Sequence, residues 1–91
     1  MADKPDVAES LRSETVKWLG KAEERLSRIS YSGDREFLEN IKAYISDAHY
    51  FMEQEDLVRA FEAVIWAWAW MEIGERIGIL GEGTGSESGR G

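Results

Sequence analysis

The chain has 91 residues, of which 43% are hydrophobic, and its formal net charge at neutral pH is −7. This length fits one small domain, and the hydrophobic fraction is too high for an intrinsically disordered chain. The negative charge disfavours non-specific binding to nucleic acid or anionic lipid, and the absence of cysteine excludes disulfides and thiolate metal sites.

The N-terminal segment MADKPDVAES lacks the apolar core of a signal peptide. The longest uninterrupted apolar run, residues 63–71, is much shorter than the roughly 20 residues needed to span a bilayer. We therefore expect a cytoplasmic protein without a membrane-spanning segment.

The first predicted helix covers residues 4–30, with Asp3 as its N-cap and Pro5 in its first turn. Thr15 is the only polar residue in phase with the apolar positions of this helix. Those positions are Val7, Leu11, Trp18, Ala22, Leu26 and Ile29.

A basic stripe also follows this helix beside Trp18, a pattern that could contact an anion or weakly bind RNA through charge and stacking. Glu14 and Glu24 lie along the same flank, which favours an ordinary solvated surface over such a site. The stripe consists of Lys17, Lys21, Arg25 and Arg28.

The turn-forming sequence SYSGD, residues 30–34, separates the first helix from a second predicted helix at residues 35–54. Gly33 is suited to the turn, and Ser32 or Asp34 to capping the second helix. This helix has an apolar seam and a flanking aromatic row, which together indicate two packing neighbours. The seam is Leu38, Ile41, Ile45, Ala48 and Met52, and the row is Phe37, Tyr44 and Phe51.

Helical phase predicts a turn at residues 54–56 although no glycine or proline is present there. Continuing the second seam would bring Glu55, Arg59 and Glu62 into the core, whereas the apolar pattern resumes at Leu57. The phase therefore favours a turn capped by Asp56 over one continuous helix.

The third predicted helix covers residues 56–80 and ends at Gly81. Ala67 and Gly74 are small enough to allow close approach of a neighbouring backbone, whereas Ile65 and Trp68 widen the apolar face on one side. The core seam is Leu57, Ala60, Val64, Ala67, Met71, Gly74 and Gly78.

A second apolar row lies on the opposite side of the third helix, and we call it the tryptophan stripe: Trp66, Trp70, Ile73 and Ile77. Three helices are too few to surround one of them completely. The stripe is therefore expected to be an interaction surface, for a second copy of the chain in a dimer or for a partner helix. The competing interpretation is that the first helix covers part of it.

No catalytic, cofactor-binding or metal-binding constellation is evident in the sequence. His49, the only histidine, lies four residues before Glu53 on one helical face, so a simple surface pair is expected. The Glu-x-x-His pairs of di-iron bundles are missing. Helical HEPN-type ribonucleases share the hairpin outline, but the arginine shortly before their histidine has no counterpart here.

Three segments carry a resemblance to a known family: YISDAHYF at 44–51, DLVRAFEA at 56–63 and AWAW at 67–70. Together they resemble the archaeal domain-of-unknown-function 357 family over about residues 40–74. The resemblance implies a compact helical bundle in an archaeal cytoplasm and brings no assigned activity. The sequence differs from the family pattern at Gln54-Glu55, where a glycine-containing turn is common, and at Trp66, where tyrosine is usual.

These patterns predict an all-α, up-down-up antiparallel three-helix bundle at residues 1–80, because connections this short only join antiparallel neighbours. A disordered Gly/Ser-rich tail is expected at residues 81–91. The predicted function is non-catalytic protein–protein interaction or self-association through the tryptophan stripe. The alternatives are weak RNA or anion binding through the basic stripe and a HEPN-like enzyme around His49.

Overall fold

The computed structural model describes residues 6–31 and 35–82, which form three helices and one short antiparallel strand pair. Helix α3 packs against both α1 and α2, and the predicted three-helix bundle is confirmed. The helices are α1, Val7–Arg28; α2, Arg35–Glu53; and α3, Leu57–Arg76. The strands, which the sequence did not predict, are β1, Ile29–Tyr31, and β2, Leu80–Glu82.

The first helix is shorter than predicted at both ends. Asp6 is its N-cap, because the Asp6 carboxylate accepts a hydrogen bond from the Glu9 amide at 2.8 Å while the Asp6 backbone is extended. At the other end Ile29 is already extended and begins β1. Asp3 and Pro5, the predicted cap and first-turn residue, lie outside the described residues, as do Ser32, Gly33 and Asp34.

The predicted break between α2 and α3 is confirmed, and Asp56 caps α3 by accepting the Arg59 amide at 3.2 Å. Helix α2 ends in a Schellman motif, in which the Asp56 amide donates to the Phe51 carbonyl and the Glu55 amide to the Met52 carbonyl. This motif needs a left-handed residue, and Glu55 supplies it with φ 60°. A non-glycine residue therefore occupies a glycine-favouring position.

Glycine at position 55 is expected to be more stabilising than alanine by about 1 kcal/mol, because a Cβ is disfavoured in the left-handed region. Glu55→Gly and Glu55→Ala form a matched pair, since both remove the exposed ion pair between Glu55 and Arg12. Urea denaturation of the two variants measures the difference. Inside a helix the order would be reversed, so alanine being the more stable variant would contradict this turn geometry.

The end of α3 corrects the predicted boundary at residue 80. Gly78, assigned to the core seam from the sequence, is exposed and has φ +85°. The Ile79 amide donates to the Gly74 carbonyl at 2.9 Å and the Gly78 amide to the Glu75 carbonyl at 3.2 Å, a second Schellman motif. The predicted terminator, Gly81, lies in β2 instead, because Gly78 already ends the helix at Arg76.

The strand pair joins the end of α1 to the segment after α3. Ser30 pairs with Gly81 and Ile29 with Glu82 in an antiparallel register, and Leu80 is buried at 4% exposure. Residues 81 and 82, assigned to the disordered tail from the sequence, are therefore part of the fold. Residues 83–91, where the rest of that predicted tail falls, lie outside the described residues.

The core follows the predicted seams of α2 and α3 closely. Its buried members include Ile41 and Ala48 of α2 and five seam positions of α3, Ala60, Val64, Ala67, Met71 and Gly74. The predicted seam of α1 holds at Ala22, which is buried, and at Leu26 and Ile29, which pack against the core. It differs at two positions: Leu19 is buried where Trp18 was expected, with Trp18 at the edge, and Val7 is 82% exposed. Thr15 can lie in the core because its hydroxyl donates to the Leu11 carbonyl at 2.7 Å.

None of these helices, within the part of the chain that the structure describes, has the length and apolarity that a bilayer crossing requires.

Candidate functional site

One side of α3 is only partly covered by the other two helices. We call it the outer α3 face: Ile65, Trp66, Ala69 and Ile73 of the helix, and Ile77, its C-cap residue. Its four larger side chains are 48–59% exposed. Helix α1 lies on the other side, where Trp18 meets Trp68 edge to face at 5.7 Å between ring centroids. The outer α3 face is thus a half-exposed apolar strip along one helix.

Two members of the predicted tryptophan stripe rest against α2. The Trp66 ring stacks on Tyr44 at 6.1 Å between centroids but stays 54% exposed, whereas Trp70 meets Phe37 edge to face at 4.7 Å and is partly buried. Trp70 therefore faces α2 more than solvent. Ile65, which the sequence assigned to the core side, is instead 50% exposed and belongs to the outer face.

The ion pairs around this face do not follow the spacing of charges along α3. Glu72 and Arg76 have the spacing of a helical ion pair, yet the Glu72 carboxylate lies 3.5 Å from Arg25 of α1. Within residues 6–31 and 35–82, neither Arg76 nor Glu62 forms an ion pair. Both are exposed, so an unpaired anion and an unpaired cation flank the outer α3 face.

The basic side chains of the stripe predicted on α1 to contact an anion interact with different groups of the protein. Arg28 lies 3.3 Å from Glu24, and Lys17 and Lys21 lie over the Trp18 ring at 5.6 and 5.0 Å from its centroid. Much of the positive charge therefore has a protein partner, and the four residues do not form one free cationic surface.

Arg25 is the most enclosed member of that stripe, with a side chain 16% exposed. Its guanidinium donates to Glu75 and lies 5.1 Å from the centroid of the Trp68 ring. Burial alone would lower the pKa of Arg25, but hydrogen bonds to and the charges of Glu75 and Glu72 outweigh burial and raise it. Arg25 therefore stays charged at neutral pH, and the stabilisation linked to its raised pKa declines only when pH rises into the strongly alkaline range.

An apolar groove between α1 and α3 was not anticipated from the sequence. It is lined by Trp18, Phe61, Val64, Ile65 and Trp68, and the Trp68 indole N–H at its edge donates to the Trp18 carbonyl at 3.2 Å. Its volume of about 210 Å³ is below the roughly 300–1,000 Å³ typical of ligand pockets. We therefore do not assign it a small-molecule ligand.

His49 has a different partner from the one predicted. Its Nε2 atom lies 2.6 Å from a carboxylate oxygen of Glu23 on α1, and both side chains are about half exposed. The contact joins α1 to α2 rather than His49 to Glu53. Among the residues that the structure describes, no cluster of three or more histidine, aspartate or glutamate side chains could hold a metal ion.

Comparison with known proteins supplies a family and one solved structure. The family model "Protein of unknown function (DUF357)" matches residues 14–80. The crystal structure of protein AF1782 from Archaeoglobus fulgidus, matched to the same family model, is 57% identical with a TM-score of 0.79. The match covers 85% of this chain and 99% of that one, whereas no curated protein matches the sequence.

Proposed function

Because this chain belongs to DUF357, a family of proteins of unknown function, we propose a role from its own surface: a non-catalytic module that binds protein through the outer α3 face. The sequence resemblance to the family is confirmed, and with it the helical bundle. No activity is assigned to the family, so the proposal rests on the exposure and the contacts of residues in this chain.

The half-exposed apolar strip is the observation that carries this proposal. Isolated exposed apolar residues are common on soluble proteins, but Ile65, Trp66, Ile73 and Ile77 follow one helix without a gap longer than two turns. Completing the burial of a half-exposed side chain of this size is worth about 1 kcal/mol or slightly more. Four such residues give on the order of 5 kcal/mol, and a partner with an apolar surface of its own adds a similar amount.

Trp66 adds specificity to this surface. Tryptophan is enriched among residues that dominate interface energies, and stacking on Tyr44 holds the Trp66 ring in place before any partner arrives. A preordered side chain loses less conformational entropy on binding than a free one. A partner therefore meets a rigid aromatic platform flanked by aliphatic side chains.

The alternative functions draw less support from the same structure. Arg25 and Arg28 are already close to carboxylates, so less of their charge is available to a phosphate backbone. The His49–Glu23 pair is half exposed, whereas general-base catalysis benefits from a desolvated and positioned partner. Protein binding by the outer α3 face is the function that the exposed surface favours.

A photo-crosslinking amino acid placed at Ile73 tests this function in cells of the source organism. We expect one specific crosslinked protein, identified by mass spectrometry, and the same product from position 66. The matched control carries the probe at Ser13, an exposed position of α1, and should not give that product. Equal crosslinking from position 13, or no product from 66 and 73, would contradict the proposal.

A further inference from the structure

The central row of the outer α3 face, together with the two charges that flank it, is arranged symmetrically about Ala69. Ile65 lies four residues before Ala69 and Ile73 four after, while Glu62 lies seven before and Arg76 seven after. Steps of four and seven residues return to nearly the same side of a helix with about 3.6 residues per turn. The row therefore reads anion, isoleucine, alanine, isoleucine, cation from one end to the other.

This order is complementary to itself only when reversed. In an antiparallel pair of α3 helices with a two-fold axis at Ala69, each residue meets the one equally far from the axis on the other side. Glu62 then faces Arg76 of the second copy, and Ile65 faces Ile73. A parallel pair would instead oppose Glu62 to Glu62 and Arg76 to Arg76, so the charges select the antiparallel arrangement.

The unpaired state of the two charges supports this arrangement. Glu62 and Arg76 form no ion pair in the described part of the chain. Arg76 lacks its helical neighbour as a partner because Glu72 lies beside Arg25 instead. Ala69 at the axis presents only a methyl group, which lets two helices approach at the lower end of the usual 8–10 Å axial separation.

We propose that the occupant of the outer α3 face is a second copy of this chain, packed antiparallel through α3 about an axis at Ala69, with two Glu62–Arg76 ion pairs. This inference rests on the proposed function and identifies the protein partner as a second copy of the chain. An isologous two-fold contact also closes on itself, so the surface is used once and no open filament forms.

The dimensions of the contact set its strength. Glu62 and Arg76 are about 21 Å apart along a helix at 1.5 Å per residue. A strip of that length and one helix wide gives an interface at the low end of the size range, below roughly 1,200 Å² in total, which is typical of weak or transient complexes. The dimer is therefore concentration-dependent.

Exchanging the charges at positions 62 and 76 tests the register of the antiparallel α3 pair. Dimerisation of the full chain is measured by sedimentation equilibrium over a range of concentrations. Glu62→Arg converts both attractive contacts of the dimer into repulsive ones and should weaken dimerisation about tenfold or more, and Arg76→Glu should do the same. The double variant Glu62→Arg with Arg76→Glu restores opposite charges across the axis and should dimerise within about threefold of the parent. An equimolar mixture of the two single variants should associate as well.

Glu53→Arg is the matched control, because it makes the same charge change at an exposed position of α2 away from the outer face. Its dimerisation should stay within about threefold of the parent. Far-UV circular dichroism verifies that each variant, altered only at exposed positions, remains folded.

The outcomes separate this proposal from the function on which it rests. A parent chain that stays monomeric while positions 66 and 73 crosslink to a different protein would overturn the second copy as partner and leave the interaction module intact. A parent dimer that the single exchanges do not weaken, or that the double exchange does not restore, would overturn the Ala69 register. A monomer without crosslinks would overturn both.

Discussion

Replacing Ile41 by alanine is expected to lower the free energy of unfolding by about 2–5 kcal/mol. Ile41 is fully buried and belongs to the core cluster shared by the three helices. Removing its side-chain atoms loses transfer free energy and leaves a cavity that the surrounding helices can close only in part. A domain of this size has a total stability of roughly 4–12 kcal/mol, so the variant would keep only part of it.

Urea denaturation followed by far-UV circular dichroism measures this loss. Val16→Ala is the matched control, because Val16 is 54% exposed on α1 and its truncation should change stability by no more than about 0.5 kcal/mol. Equal denaturation midpoints for Ile41→Ala and the parent would show that α2 does not pack in the observed rotation.

Adding one methyl group to each of two helical glycines is expected to change stability in opposite directions. A Cβ at Gly74 would lie 2.5 Å from Cδ1 and 2.7 Å from Cγ of Leu80, and 3.1 Å from Phe37. Leu80 is buried and cannot swing into solvent, so Gly74→Ala should destabilise the fold by about 1–3 kcal/mol through overpacking. At Gly20 a Cβ meets nothing within 4 Å, and Gly20→Ala should stabilise α1 by about 0.5–1 kcal/mol.

A double variant identifies the source of the Gly74 effect. Leu80→Ala alone creates a cavity, but combined with Gly74→Ala it also relieves the clash, so the two losses should sum to more than the loss of the double variant. Strict additivity would mean that the clash with Leu80 is not the cause. Stabilisation by both Gly74→Ala and Gly20→Ala would mean that residue 80 does not pack on α3.

The seams of α2 and α3 could be read from the sequence because buried positions repeat every three or four residues, and the break between them appeared as a change of phase at Leu57. The cap at Asp56 followed from the same reasoning. The end of α3 could not be predicted in this way, because Gly78 and Gly81 both follow the apolar pattern and either glycine could end the helix. The strands are three residues each, too short to show an alternating pattern, and they pair across about 50 residues of chain.

The candidate surface was predictable in part for similar reasons. A second apolar stripe on α3 marked Trp66, Ile73 and Ile77, which the structure leaves half exposed. The Trp70 side chain is partly buried because it packs against Phe37 of α2. The exposure of Ile65 depends on the position of α1. Neither can be predicted from the sequence of α3 alone. The partners of Arg25 and His49 are likewise side chains of other helices.

The pairing of β1 with β2 has a consequence for the order in which the chain folds. Helices α2 and α3 are joined by only a short turn, whereas the Ser30–Gly81 contact spans 51 residues and the Arg25–Glu75 contact spans 50. Closing a longer loop costs more chain entropy before any stabilising contact forms, so contacts between residues far apart in the sequence form late. We therefore expect the α2–α3 hairpin to form early, and α1 and the strand pair to dock on it afterwards. Local opening should follow the reverse order, with the amides of β1 and the end of α1 exchanging their hydrogens before those of α2 and α3.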